Sequence, residues 1–119
     1  MPHLFDTLIR CVLLLDGSGA AARLADVAIR DGRIARIDEP GAIDPDSASN
    51  VVEGHGLVLS PGFIDVHTHD DTNVVREPAM TPKISQGVTT VVVGNCGISA
   101  APVTLAGDPP DPMNLLGRA

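Results

Sequence analysis

Hydrophobic and polar positions along this chain follow two regimes that change near residue 60. In the first, short apolar stretches are broken by Gly, Pro, Asp and Ser. Leu4 to Asp16 reads as a strand ending at the turn Asp16-Gly17-Ser18-Gly19. Asp26 to Asp38 reads as a hairpin: Val27 and Ile29 alternate with Ala28 and Arg30, Asp31-Gly32 supplies the turn, and Ile34 and Ile37 resume the pattern. A loop rich in Gly, Pro, Asp and Ser follows from Glu39 to Asn50. Two apolar runs come next, Val51-Val52 and Leu57-Val58-Leu59, separated by Glu53-Gly54-His55-Gly56. Residues 1–60 are therefore expected to form a small antiparallel β unit.

Beyond Ser60-Pro61-Gly62 the pattern changes. Phe63 to His69 reads as a strand with Phe63, Asp65, His67 and His69 on one face and Ile64, Val66 and Thr68 on the other. A helix is predicted between Pro78 and Gln86, with Thr81 and Pro82 as start signals and Gly87 as the stop. Val88 to Val93 is an unbroken β-branched run, as expected of a strand buried on both faces. Strand, helix, strand is the α/β order of a parallel barrel. The stretch from Gly107 to Pro112 is loop-like, and no internal repeat is present. A complete (β/α)₈ barrel takes about 250 residues. The 119 residues here accommodate two of its strands, so an incomplete barrel is expected.

Composition narrows the function classes. Hydrophobic residues are 44% and charged residues 19%, a globular balance. No apolar run approaches the roughly 18–20 residues of a membrane span; Cys11 to Leu15 is only strand length. The N-terminus has no basic region ahead of an apolar stretch, so no signal peptide is expected. The formal net charge of −7 argues against nucleic acid or an anionic membrane as partners. Arg30, Arg33 and Arg36, the nearest thing to a basic patch, read as the solvated edge of the hairpin. Two cysteines, Cys11 and Cys96, do not make a disulfide framework, and a reducing, cytoplasmic compartment is expected. With two Phe, no Tyr and no Trp, the core must be Val, Ile, Leu and Ala, and no base-stacking platform exists.

The sharpest chemical feature is His67-Thr68-His69. Residues two apart on a strand point the same way, with Cα atoms about 6.5–7 Å apart. Two imidazoles so placed can converge on one metal ion, zinc above all; alternatively they are polar residues at a strand end facing water. Asp65 lies one pleat earlier, and Asp70 and Asp71 follow directly. The second feature is Gly94-Asn95-Cys96-Gly97, just past the Val88 to Val93 strand, where parallel barrels place their active sites. If the two strands are neighbours, Cys96 sits beside His67 and His69, and a thiolate among imidazoles is a strong zinc ligand; the alternative is an inert packing cysteine in a Gly-rich turn. Cys11 takes the inert reading, His3 and His55 read as solvated, and Asp38 to Asp46 as a polar connection.

Taken together, Pro61-Gly62-Phe63-Ile64-Asp65-Val66-His67-Thr68-His69 resembles the metal-binding first barrel strand of the amidohydrolase superfamily. Gly87-Val88-Thr89-Thr90-Val91-Val92-Val93-Gly94-Asn95-Cys96-Gly97-Ile98-Ser99 is similar to the second-strand motif of the D-aminoacylases (N-acyl-D-amino-acid deacylases), which His67-Thr68-His69-Asp70-Asp71 also fits. Asp26-Val27-Ala28-Ile29 and Asp31-Gly32-Arg33-Ile34 match the superfamily's N-terminal β segment. The resemblance covers nearly the whole chain and the first quarter or so of a family member.

It implies that residues 1–60 belong to a small β-sandwich built from both chain ends, and that residues 61–119 begin a (β/α)₈ barrel. It implies Zn²⁺ as cofactor, with Cys96 a ligand of the tight zinc and His67 and His69 contributing to a second, weaker position. The implied reaction is hydrolysis of a small-molecule N-acyl-D-amino acid to a carboxylate and a D-amino acid. The general base, the remaining zinc ligands and the residues that set side-chain preference are expected beyond residue 119. Dihydroorotases and hydantoinases share the His-x-His strand but bridge their metals with a carboxylated lysine; Lys83, the only lysine here, lies in the predicted helix. A cyclic amidase of that kind and a non-catalytic metal-binding remnant are the alternatives. The 119 residues alone are expected to be unstable or inactive.

Overall fold

The long apolar stretch near the start becomes β1 (Phe5–Leu14), the strand around which the first part of the chain is built. It is followed by β2 (Arg23–Arg30) and β3 (Arg33–Asp38), a one-turn 3₁₀ helix (Pro45–Ser47), β4 (Ala48–Glu53) and β5 (Val58–Leu59). The computed structural model describes residues 3–102, 104 and 106–116. Two units are distinguished, Met1–Pro61 and Gly62–Ala119.

In the first unit β2 and β3 pair antiparallel across Asp31-Gly32, both at positive φ (52° and 69°), the type I′ geometry whose twist matches the strands. β1 pairs antiparallel with β2. On its other edge β1 pairs in parallel, with β4 along its first half and β5 near its end. The sheet is thus mixed, which corrects the antiparallel expectation. Hairpin signals report only pairings between sequence neighbours. The segment between β3 and β4 instead carries the chain back to the far edge of β1, so β4 enters in the direction of β1. Asp44 caps the 3₁₀ turn by accepting from the Asp46 amide, and the strand starts at Ala48, inside the expected loop.

A β-bulge decides which β1 residues are buried together. Ile9 opposes Val27 and Val12 opposes Ala25, so β1 spends three steps against two on its partner. The extra residue flips the alternation. Leu8 and Val12 consequently serve opposite faces: Leu8 packs with Phe5, Ala28, Ile43 and Ala48, and Val12 with Leu14, Ala25 and Val27. Cys11 lies in the bulge at φ 54°, and its amide, freed from the ladder, donates to the carboxylate of the fully buried Asp26 at 2.8 Å. The other oxygen of Asp26 accepts the Gly41 amide at 2.8 Å. One buried carboxylate therefore satisfies two backbone donors that would otherwise be orphaned.

The second unit holds β6 (Phe63–Asp65), α1 (Asn73–Arg76), α2 (Thr81–Ile84), β7 (Val88–Val91) and a final 3₁₀ turn (Met113–Leu116). β6 and β7 pair in parallel, the β-α-β order expected. The predicted helix is a single turn at Thr81–Ile84, after which Gly87 turns the chain at φ 79° into β7. α1 carries no strong sequence signal and was not expected. Burial of β7 on both faces is not observed: Thr89 and Thr90 are exposed, and so are Val92 and Val93 just beyond it. Among the described residues, the two-stranded sheet has no second layer thick enough to cover both sides.

Candidate metal centre

Parallel pairing brings the ends of β6 and β7 out on the same side of the sheet. Asp65 opposes Val91, and the Val92 amide donates to the Asp65 carbonyl at 2.8 Å, so the segments after each strand leave side by side. The expected strand to His69 stops at Asp65, because beyond that point the backbone bonds to side chains instead of to a ladder. The His67 amide donates to Asp65 Oδ1 at 3.2 Å, and the Val66 carbonyl accepts from the Asn95 amide nitrogen at 2.7 Å.

His67 and His69 still project together, with ring centroids 5.9 Å apart and planes inclined by 58°. Cys96 sits in the turn closed by the Gly97 amide on the Gly94 carbonyl at 3.1 Å. Its Sγ lies 3.4 Å from His69 Nε2 and 4.0 Å from Nδ1. One ligand atom from each of His67, His69 and Cys96 falls within 4.8 Å of the others, and all three side chains are exposed. A tetrahedral zinc with sulfur at about 2.3 Å and nitrogen at about 2.0–2.1 Å holds such donors about 3.5 Å apart. The Sγ–Nε2 separation matches that spacing.

The acidic neighbours take other roles. Asp65 Oδ2 accepts from Lys83 Nζ at 2.6 Å, and Asp70 Oδ2 lies 3.1 Å from the same ammonium. Asp70 also accepts from the Thr68 hydroxyl and, at 2.9 Å, from Asn73. The Asn73 amide first, then the Thr68 hydroxyl, holds Asp70 down to about 2, and Lys83 draws Asp65 below its ordinary value. The pair of carboxylates in turn raises Lys83, through the hydrogen bond to Asp65 first and then that to Asp70. Asp71 Oδ1 accepts the Ala100 amide at 3.0 Å, tying the His-bearing segment to the loop after Cys96.

Sequence reasoning missed Lys83 and Asn95. The signal for Lys83 was its being the chain's only lysine, three helical positions after Met80 and among segments rich in Asp. The other titratable candidates are elsewhere. His3 Nδ1 lies 3.2 Å from the Asp46 carbonyl, His55 is exposed 3.7 Å from Glu53, and Cys11 occupies the bulge; both cysteines are free.

The sequence pattern of the amidohydrolase family matches residues 50–118. The D-aminoacylase of Alcaligenes xylosoxydans xylosoxydans is 53% identical over 112 residues, 94% of this chain and 22% of that protein. The N-acyl-D-aspartate deacylase of the same organism is 46% identical over 120 residues, 98% of this chain and 22% of that protein. Among solved structures, the N-acyl-D-glutamate deacylase of Bordetella bronchiseptica, complexed with zinc and a phosphonate inhibitor, superposes with a TM-score of 0.83 at 48% identity. That superposition covers 97% of this chain and 24% of the other. The resemblance read from the motifs, and the strand-rich α/β architecture expected of an N-terminal portion, are both met. The chain spans 22% of the length of these curated relatives.

Proposed function

The chain belongs to the amidohydrolase family, and from that premise we propose that the protein carrying it hydrolyses the amide bond of N-acyl-D-amino acids, releasing a carboxylate and a D-amino acid. The observation that carries this reading is the convergence of His67, His69 and Cys96 at adjoining strand ends, in a chain 53% identical to a D-aminoacylase. Relatives acting on N-acyl-D-aspartate and N-acyl-D-glutamate support the same substrate class.

Zinc is the cofactor we assign, and the residues present fit it. Two imidazoles and one thiolate are donors that zinc accepts; the Cys96–His69 pair has the spacing of a tetrahedral ion, and a donor of His67 lies within 4.8 Å of both. When bound, zinc supplies Lewis-acid polarisation of the acyl carbonyl. The chain's own residues prepare the site. The Gly94–Gly97 turn presents the Cys96 sulfur, Asn95 locks that turn to the Val66 carbonyl, and both imidazoles must be neutral to act as ligands. Asp65 and Asp70 are bound to Lys83 and held ionised, so neither is suited to carry a proton to the leaving amine. We therefore assign the general base to a part of the protein outside these residues. Residues 1–60 are read as part of the N-terminal β-sandwich and residues 61–119 as the start of the barrel. Free cysteines support a cytoplasmic setting. No helix among the described residues is long and apolar enough to cross a membrane.

The test is hydrolysis by the gene product that carries this chain, offered N-acetyl-D-amino acids, their L enantiomers and cyclic amides. Chelator-sensitive release of D-amino acids, absent with L substrates and lost in Cys96→Ser, is the expected result. Turnover of cyclic amides with none of the linear D substrates would overturn the reading.

A further inference from the structure

The His-bearing segment lies beyond the last rung of β6, so backbone pairing does not hold it in place. Side chains hold it instead: Asn95 on the Val66 carbonyl, Asp71 on the Ala100 amide, and one ammonium at its centre. Lys83 Nζ, on α2, reaches Asp65 Oδ2 at 2.6 Å, Asp70 Oδ2 at 3.1 Å and Thr68 Oγ1 at 3.4 Å. Those three residues precede His67, separate the two histidines and follow His69. Each makes a second local bond: Asp65 Oδ1 accepts the His67 amide, Thr68 donates to Asp70, and Asp70 Oδ1 accepts from Asn73. Thr68 and Asp70 are 8% and 9% exposed, whereas the two imidazoles stand in solvent.

We propose that Lys83 is a positioning residue for the metal centre, clamping the two carboxylates that flank His67-Thr68-His69 and so fixing the backbone from which both imidazoles project. The proposal rests on the reading of His67, His69 and Cys96 as metal donors. The physics is that of outer-shell control: a ligand held by a rigid shell loses little freedom on binding, and loosening that shell weakens the metal. Thr68 is buried, whereas the histidines on either side of it are exposed. Fastening Thr68 inward therefore turns the imidazoles outward, toward Cys96. The ammonium also offsets one of the two negative charges of Asp65 and Asp70. Without it, two uncompensated carboxylates beside the donors would be free to swing and compete for the ion.

A merely structural lysine would support α2 and leave the metal indifferent, and cobalt separates the cases. The metal-free gene product that carries this chain is titrated with Co²⁺, whose thiolate-to-cobalt absorption reports Cys96 and whose d–d bands report geometry. Lys83→Met is expected to weaken Co²⁺ binding about tenfold or more, the range for loss of an outer-shell partner, and to shift the d–d bands. Lys83→Arg, which reaches both carboxylates, is expected to restore most of the affinity. Far-UV circular dichroism follows each variant. Should Lys83→Met lose secondary structure, Lys83→Gln, polar and uncharged but one atom shorter, takes its place with the same direction of effect. Binding by Lys83→Met or Lys83→Gln within twofold of the parent, or tighter, overturns the role of Lys83 alone. Absence of the thiolate–cobalt band in the parent chain overturns the metal reading beneath it.

Discussion

Asp16 shows how a single side chain writes a pH dependence into the first unit. It closes the turn after β1, accepting from the Ser18 hydroxyl at 2.6 Å, the Ser18 amide at 3.0 Å and Arg23 at 3.3 Å. In that order of weight these donors pull its carboxyl from 3.8 to about 2. A depressed folded-state pKa gives stability that is fully present above the ordinary value and is lost as pH falls through the folded one. Asp16 therefore stabilises the turn above pH 3.8 and withdraws that support on the way to about pH 2. Asp16→Asn is expected to flatten the loss of stability between pH 4 and 2 while lowering stability at pH 7; urea unfolding at each pH measures both, and parallel curves would refute it. At this scale the metal donors were legible because His67, His69 and Cys96 advertise themselves by residue type and spacing. Lys83 was not legible. Its importance depends on where a helical side chain reaches in space, and no pattern within the helix encodes that.

At the scale of elements, the approach of β6 to β7 sets the distance between the histidines and Cys96, and Gly62 permits that approach. A Cβ on Gly62 would fall 2.1 Å from Thr89 Oγ1, 2.3 Å from Cγ2 and 2.7 Å from Cβ. Either Thr89 or the start of β6 must move to admit a methyl group, at a cost typical of overpacking, about 1–3 kcal/mol. Gly62→Ala is thus expected to lower the thermal midpoint of the β6–β7 unit and weaken Co²⁺ binding. Thr89→Ala removes two of the three clashing atoms, so in the double variant part of the loss should return. Strictly additive losses, read from the double-mutant cycle, would show that Gly62 acts some other way. The same scale explains which elements the sequence announces. The Asp31-Gly32 hairpin and the Gly87 stop are local chemistry and came out as read. The parallel β1–β4 and β1–β5 pairings join segments tens of residues apart, and the bulge at Cys11 is a register event, so neither leaves a local mark.

For the whole molecule, the two units differ in how much apolar surface they bury, and metal should act on only one of them. The first closes clusters on both faces of β1, with Leu8, Val12, Ala25, Val27, Ala28 and Ile43 at most 2% exposed. The second leaves Phe63, Ile64 and Val66 about 60% exposed on a two-stranded sheet, an arrangement marginal by itself in water. Hydrogen exchange separates them through amides with defined partners. The Leu13 amide, bonded to the Leu57 carbonyl at 3.0 Å, reports the first unit; those of Phe63 and Val92, bonded to Gly87 and Asp65 at 2.8 Å, report the second. In the metal-free chain Phe63 and Val92 should exchange much faster than Leu13. A ligand that binds only the folded form stabilises it by about 2.7 kcal/mol at one hundred times its Kd. Zinc at that level is expected to slow Phe63 and Val92 by up to roughly a hundredfold and to leave Leu13 unchanged. Cys96→Ser should abolish the slowing. If zinc slowed Leu13 equally, or slowed Phe63 just as much in Cys96→Ser, the ion would be acting away from the β6–β7 strand ends, and the assignment of His67, His69 and Cys96 as its donors would fall.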